Sequence, residues 1–574
     1  MAVIAAAAGG LLGSQIPGMW APGAAKSEPQ ALARYVGWLA VLPHVLVACG
    51  LSYAITRLGA GGGKLAALGP NARLNLFHDG NALVGAALAI ALHGSGAAWP
   101  LVFSVVGRFI VGGCQAIQLR RSVAVVAVWT YAAAALLLNS SSEGAGVAFW
   151  AARLLPARWL PLAAALGSFH GVAPAHYTIG VTMRFTLMRY VSWALDTLDG
   201  RIVEATSPGA VERTYGASST RVNTSTHQAG EVVPESPRIG AVGARGATSP
   251  EALFTQPESP QKGRLHATST AGLASASWAA FFSYLFFAPT YLVGPVMTAA
   301  DFYQQAAATS AGKSPSKHTL SGGQWWRAAA RLAGFCAFAE ALRRSSLLVD
   351  GGMQTLLGAQ PWHAWAAGYA LLTALFAQSF VPWTCARLCA GALGVAPIDE
   401  APVGFLRSSL TPSTFWRNFH VSWGRWLKQY VYTPLGATPA ALALTMAASA
   451  MLHGGSTAWM TWGGIQAGAL LVERWLSRRG AASLGPLGRL HPHLRASLAQ
   501  CATMTTLLVQ LPVSASLPTF LVCFHAINLP FSALNAARLA QRTGGKAGAA
   551  NSAVGATPDR MAAKLATAAK LAVD

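Results

Sequence analysis

Two histidines stand where an imidazole has chemistry open to it. His453 is the one histidine in "ALALTMAASAMLHGGSTAWMTWGGIQAGALLV", a stretch with no charged residue before Glu473. A neutral imidazole there has a free nitrogen and can act as general base toward an acceptor hydroxyl. An ionisable group at membrane depth is costly, so its presence is a functional-site hypothesis. The competing reading is a buried histidine satisfied by a carbonyl. Gly454 and Gly455 follow it and permit close backbone approach. His44, His93, His170, His176, His363 and His525 also lie in or near apolar segments, with nothing local to distinguish them.

The second histidine, His420, lies 33 residues earlier in "FWRNFHVSWGRWLKQYVYTPLG", residues 415–436. Those 22 positions hold seven aromatic residues and three cations and no carboxylate. Trp416, Trp423 and Tyr430 recur every seven residues, with Phe419, Trp426 and Leu427 beside them, which predicts one helix with a broad aromatic face. Eleven residues are close to three turns, so Arg417, Arg425 and Lys428 share another face of that helix. Such a helix lies in or just beneath the headgroup plane, its cations toward phosphate. The phosphate belongs either to lipid or to a phosphorylated cosubstrate, which Arg can grip bidentately. "YTPLG" then ends the helix with proline and a glycine turn.

The elements that must position these residues are membrane spans. The 574-residue chain is 53% hydrophobic and 10% charged, with a mean hydropathy of +0.41, against about a quarter charged in soluble domains. Apolar runs of span length recur at 35–56, 81–113 (as two short pieces), 122–139, 146–167, 178–196, 273–298, 327–346, 363–396, 438–453, 458–476 and 497–530. The fold class expected is all-α, a polytopic transmembrane bundle of roughly ten or more helices. The net charge is +22, yet the basic residues sit at span ends and in short loops, as in Arg120–Arg121 and Arg343–Arg344. That placement fits anionic lipid and argues against nucleic acid. Between residues 280 and 530, sixteen Lys/Arg face six Asp/Glu, so this half holds something acidic or faces the cytosol.

The seven cysteines are scattered without a CxxC pair, so neither a disulfide framework nor a zinc site is indicated, and no metal is expected. Residues 1–34 form an N-terminal segment without the basic start of a signal peptide. Residues 35–196 carry the N-terminal helices. Residues 197–272 are rich in Ser, Thr, Pro and Gly with no hydrophobic period, and read as a disordered loop. Residues 273–534 form the C-terminal core, and 535–574 a polar tail. In that tail "TPDRMAAKLATAAKLAV" is either a basic amphipathic helix or a frayed end.

At this point a resemblance is carried by the residues. "FWRNFHVSWGRWLKQYVYTPLG", then "LHG" and "WGGIQAG", resembles the signature of the membrane-bound O-acyltransferases, which read F-W-R-x-W-H, Y-[VI]-Y-x-P-L-G and W-H-G ahead of W-G. "YLFFAPTYLVGPVMTAADF" is similar to another family block through Tyr284, Pro289, Gly294, Pro295 and Phe302. "MRFTLMRYVSWALD" (183–196) resembles the glycerol-uptake-protein and hedgehog-acyltransferase branch. These matches cover about a third of the chain, 183–196 and 278–476. The chain departs from the pattern at Leu452 and Phe419, where the family has Trp; both keep an apolar wall.

The resemblance implies acyl transfer to a hydroxyl or amine inside a tunnel through the bundle. Acyl-CoA would be the cosubstrate, with no permanently bound cofactor. It implies His453 as the catalytic histidine and His420 as the second polar residue, with Arg417, Arg425 and Lys428 holding the phosphates of CoA. It also implies a lipid acceptor such as a lyso-GPI anchor, or a protein acceptor, in the endoplasmic reticulum membrane. A glycerol transporter is the alternative from another class. Transporters commonly show inverted repeats, and no convincing internal repeat is present.

Overall fold

The computed structural model describes residues 30–60, 69–140, 179–202, 277–312, 321–344, 361–400, 411–455, 457–479, 492–508, 528–529 and 532. The expected span at 146–167, most of the 197–272 loop, the N-terminal 29 residues and the polar tail lie outside the described residues. Among the described residues the regular structure is entirely helical. The fold is all-α.

The first four helices are α1 (Gln30–Ala60), α2 (Pro70–His93), α3 (Ala98–Ala116) and α4 (Arg121–Ser140). The expected break within 81–113 falls at Gly94, where a 3-10 turn (Gly94–Ala97) separates α2 from α3. Within α1, α3 and α4 the stretches Gly37–Thr56, Ala98–Ala116 and Arg121–Asn139 are long and apolar enough to cross a membrane. They turn large apolar side chains outward: Val47 is 64% exposed, Phe109 66% and Val126 63%. Only a hydrocarbon solvent makes that arrangement favourable.

Helix α5 (Ile179–Leu198) is the hub, and its residues from Phe185 to Asp196 are all buried. It is surrounded because it is apolar on most of its circumference and polar only where partners wait. Tyr190 donates to the Gly107 carbonyl of α3 at 3.2 Å. Arg189, 1% exposed, donates to the carbonyls of Leu285 (3.0 Å), Tyr291 (3.4 Å) and Thr290.

Those carbonyls can accept from Arg189 because the described part of 273–298, from residue 277 on, does not form the expected span; the Thr290 carbonyl takes the Gly294 amide as well, at 3.2 Å. The segment is α6 (Trp278–Leu285), a 3-10 turn (Ala288–Thr290) and an extended stretch running to α7 (Ala299–Ser310). Pro289, Gly294 at φ 85° and the cis Gly294–Pro295 peptide bond interrupt the helix. Non-helical backbone is tolerated at membrane depth only when protein satisfies it. Here Trp383 donates to the Val293 carbonyl at 3.1 Å, Tyr284 to the Met297 carbonyl at 2.7 Å, and the Ala299 amide to Ser192 Oγ at 2.9 Å.

The remaining helices are α8 (Gly322–Arg344), α9 (Pro361–Ala392), α10 (Pro412–Asn418), α11 (Val421–Leu427), α12 (Pro439–Leu452), α13 (Thr457–Arg479) and α14 (Pro492–Leu508). Segment 415–436 is a second correction. Instead of one helix it is α10, a reversal at Phe419–His420, α11 and a π turn over Lys428–Tyr432. His420 takes the left-handed conformation at φ 52° and ψ 49°, a strained choice for a residue with a Cβ. Nor does its aromatic face meet lipid. Trp423, Trp426 and Tyr430 are 6%, 1% and 2% exposed, held in the protein core. Trp426 donates to the Met188 carbonyl of α5 at 3.0 Å, and the Tyr430 hydroxyl reaches both Asp196 oxygens at 3.0 Å.

Candidate active site

His453 is placed by the end of α12. Pro439 opens that helix and Thr438 caps it, accepting from the Ala441 amide at 3.1 Å. At the other end the Gly454 amide bonds the Met451 carbonyl and the Gly455 amide the Ala450 carbonyl, each at 3.0 Å. These two bonds form the Schellman pattern, and His453 is the cap residue inside it. Gly454 sits at φ 131°, a conformation that residues with a Cβ rarely adopt. The "HGG" sequence is therefore a tight reversal that leads into α13 and presents an imidazole at its corner.

The imidazole is half-buried among three indoles. Trp423 lies edge-on at 4.7 Å, Trp459 edge-on at 4.7 Å and Trp462 nearly parallel at 5.6 Å. Trp423 is fixed by its own Nε1–H, which donates to Ser449 Oγ one turn before His453 at 3.0 Å. The same indole stacks with His420 at 4.9 Å and 30°. Trp383 closes over His420 at 4.3 Å. The two histidines singled out in the sequence thus share one indole, although they belong to different helices.

The turn that follows His420 is held by Glu400, a residue that sequence reasoning missed. Glu400, 2% exposed, accepts from the Ser422 amide at 2.8 Å and from Ser422 Oγ, and its carbonyl receives the Val421 amide at 3.4 Å. Ser422 Oγ also accepts from the Val296 amide at 2.8 Å, tying the segment to the interrupted stretch after α6. Glu400 Oε2 is 3.5 Å from His420 Nδ1, within ion-pair range but without hydrogen-bond geometry. A signal for Glu400 was available, since it is one of six carboxylates between 280 and 530. Beside it a crevice with room for about one water (≈ 20 Å³) is bordered by Arg331, Arg387 and Asp399. Arg387 pairs with Asp399 at 2.8 Å.

The expected phosphate cradle is divided. Arg417 ends α10, whereas Arg425 and Lys428 lie beyond the reversal at His420, so their eleven-residue spacing no longer sets a common face. Arg425 is exposed. Burial and repulsion from Arg425 hold the Lys428 ammonium below its ordinary pKa, which places these two cations in one neighbourhood.

Arg184 of α5 is a further cation that the sequence did not single out. A Cβ built on Gly454 would stand 3.3 Å from one guanidinium nitrogen of Arg184 and 3.5 Å from the other. The next residue, Phe185, lies edge-on to Trp423 at 5.8 Å. Helix α5 therefore brings a positive charge to the residue that follows His453.

Residues 174–484 match the model of the membrane-bound O-acyltransferase family. The chain is 26% identical over 222 residues to the membrane-bound O-acyltransferase gup1 of Schizosaccharomyces pombe, covering 36% of each protein. It is 25% identical over 159 residues to GUP1 of Millerozyma farinosa, covering 27% of this chain and 30% of that one. With GUP2 of Saccharomyces cerevisiae it shares 26% identity over 167 residues, 28% of this chain and 25% of that one. The chain thus spans about a third or less of the length of these curated relatives. The family match, by contrast, takes in more than half of the 574 residues, including both histidines and the indole between them, and the protein belongs to the membrane-bound O-acyltransferase family.

Proposed function

We propose that the protein transfers a fatty acyl group from acyl-CoA to a hydroxyl or amine of a lipid acceptor within the endoplasmic reticulum membrane, a lyso-GPI anchor being the candidate acceptor. The observation that carries this reading is the contact of both His420 and His453 with one indole, that of Trp423. His453 is the more accessible of the two and takes the proton of the acceptor hydroxyl as its oxygen attacks the thioester carbonyl. It stands at the carbonyl end of α12. The oxygen–carbon bond forms, the carbon–sulfur bond breaks, and the CoA thiolate recovers the proton from the imidazolium. His420, buried between Trp383 and Trp423 beside Glu400, positions the indole and the acceptor. The indoles around His453 keep water from competing with the acceptor for the acyl group. Arg425 and Lys428 bind phosphate of the donor from their common neighbourhood.

The test uses the purified chain in vesicles with acyl-labelled CoA and a lyso-lipid acceptor. His453→Ala abolishes transfer while abundance and melting temperature stay near wild type. Turnover retained by His453→Ala sinks the assignment. Label recovered in protein rather than lipid overturns the acceptor class alone.

A further inference from the structure

Arg184 has no role in the scheme above, yet its position asks for one. A guanidinium is costly within an apolar bundle. The neighbouring arginine of α5, Arg189, faces three backbone carbonyls. Arg184 lies on another side of the helix, half-buried, against Gly454. Two features make room for it there. Gly454 carries no side chain, so backbone and guanidinium approach to a distance that a Cβ would crowd. Phe185 packs against Trp423, the indole that both histidines touch, which fixes the depth of α5 relative to the imidazoles.

We propose that Arg184 is a catalytic residue that stabilises the oxyanion formed when the acceptor attacks the thioester carbonyl. This rests on the acyl-transfer reading. As the acceptor oxygen bonds to the carbonyl carbon, the carbonyl π pair moves onto oxygen and the proton moves to His453. When the tetrahedral intermediate collapses, that pair re-forms the carbonyl, the carbon–sulfur bond breaks and the leaving thiolate takes the proton back. The developing negative charge appears within a few ångströms of His453, because the attacked carbon must lie about 3 Å from the hydroxyl oxygen that the imidazole serves. A guanidinium beside residue 454 brings N–H donors to the residue that follows His453, next to where that charge develops. Its planar fork presents N–H groups rather than a mobile point charge. The thioester itself carries little charge on oxygen, so the interaction strengthens between ground state and transition state.

The experiment measures acyl transfer by wild type, His453→Ala, Arg184→Gln and Arg184→Lys in the same vesicles, with kcat and KM for the thioester determined separately. Expected for Arg184→Gln is a fall in kcat of about 10²- to 10³-fold, with KM within about threefold of wild type. Arg184→Lys recovers part of the loss, because it keeps charge without the fork. A change confined to KM, or an Arg184→Gln kcat within about threefold of wild type, overturns the proposal. Should Arg184→Gln fail to accumulate in the membrane, Arg184→Lys decides alone. A kcat lowered at least tenfold at unchanged melting temperature supports the oxyanion role, and an unchanged kcat overturns it. Absence of transfer by wild type itself strikes the underlying reading instead. Active wild type, inactive His453→Ala and active Arg184→Gln strike only the role of Arg184.

Discussion

Helices α1, α3 and α4 run for 19 to 31 residues without a break and turn large apolar side chains outward. Residues 278–302 and 412–432, by contrast, are cut into pieces of three to twelve residues and bury most of their aromatics. In hydrocarbon an α-helix satisfies its own backbone, so a helix facing lipid needs nothing from its neighbours. A broken segment leaves amides and carbonyls open and must borrow partners. Here they come from Arg189, Ser192, Asp196, Trp383 and Ser422. Polar residues inside the bundle are thus concentrated where the chain reverses, and reversals are what carry His420 and His453 to one indole. The difference teaches that the site is assembled at the expense of regular helix and is held by side chains rather than by ladders.

This contrast orders the effects of substitution. Arg189→Met removes a donor from three buried carbonyls; that of Thr290 keeps the Gly294 amide at 3.2 Å, while unsatisfied buried groups such as the carbonyls of Leu285 and Tyr291 cost about 1–3 kcal/mol each. The expected loss is about 3 kcal/mol or more, read as a lowered melting temperature in detergent and reduced abundance. Ser422→Ala takes a partner from both Glu400 and the Val296 amide. It should cost about 2 kcal/mol and slow acyl transfer through His420. A smaller effect is expected at the α12–α13 contact, where a Cβ on Gly463 would stand 3.0 Å from the Ala450 side chain and from the Met446 carbonyl. Gly463→Ala should cost about 1 kcal/mol by overpacking, measured by the same melting assay. Leu83→Ala and Val126→Ala, at positions 71% and 63% exposed, should change stability by less than about 0.5 kcal/mol. A lipid-facing substitution as damaging as Arg189→Met would erase the distinction.

The continuous helices were legible because apolar length is written locally. The stretches 35–56 and 122–139 lie inside α1 and α4, 178–196 and 438–453 match α5 and α12 to within two residues, and Gly94 marks the break within 81–113. The broken segments were not. Residues 273–298 are apolar throughout, so hydropathy joined what Pro289, Gly294 and Pro295 separate. The seven-residue spacing of Trp416, Trp423 and Tyr430 suggested one helix, yet "NFHVS" contains no proline or glycine to announce a reversal. The turn is fixed from outside by Glu400, which holds the amides of Val421 and Ser422. Tertiary hydrogen bonds of that kind leave no periodic trace. His420 and His453 were picked out by type and by family resemblance, while Arg184 and Glu400 acquire meaning only from what stands beside them in space.

The clamp made by Arg189 also has a consequence for biosynthesis. Its acceptors on Leu285, Thr290 and Tyr291 lie 96 to 102 residues downstream. At about 5–20 residues per second, a ribosome takes roughly 5–20 s to make that length of chain. Helix α5 therefore emerges long before the carbonyls that neutralise its arginine exist. During that interval the charge has to remain at the interface or within the insertion machinery. Seating of the central helix thus follows synthesis of residues 285–291, so the hub of the bundle is completed from a later part of the chain.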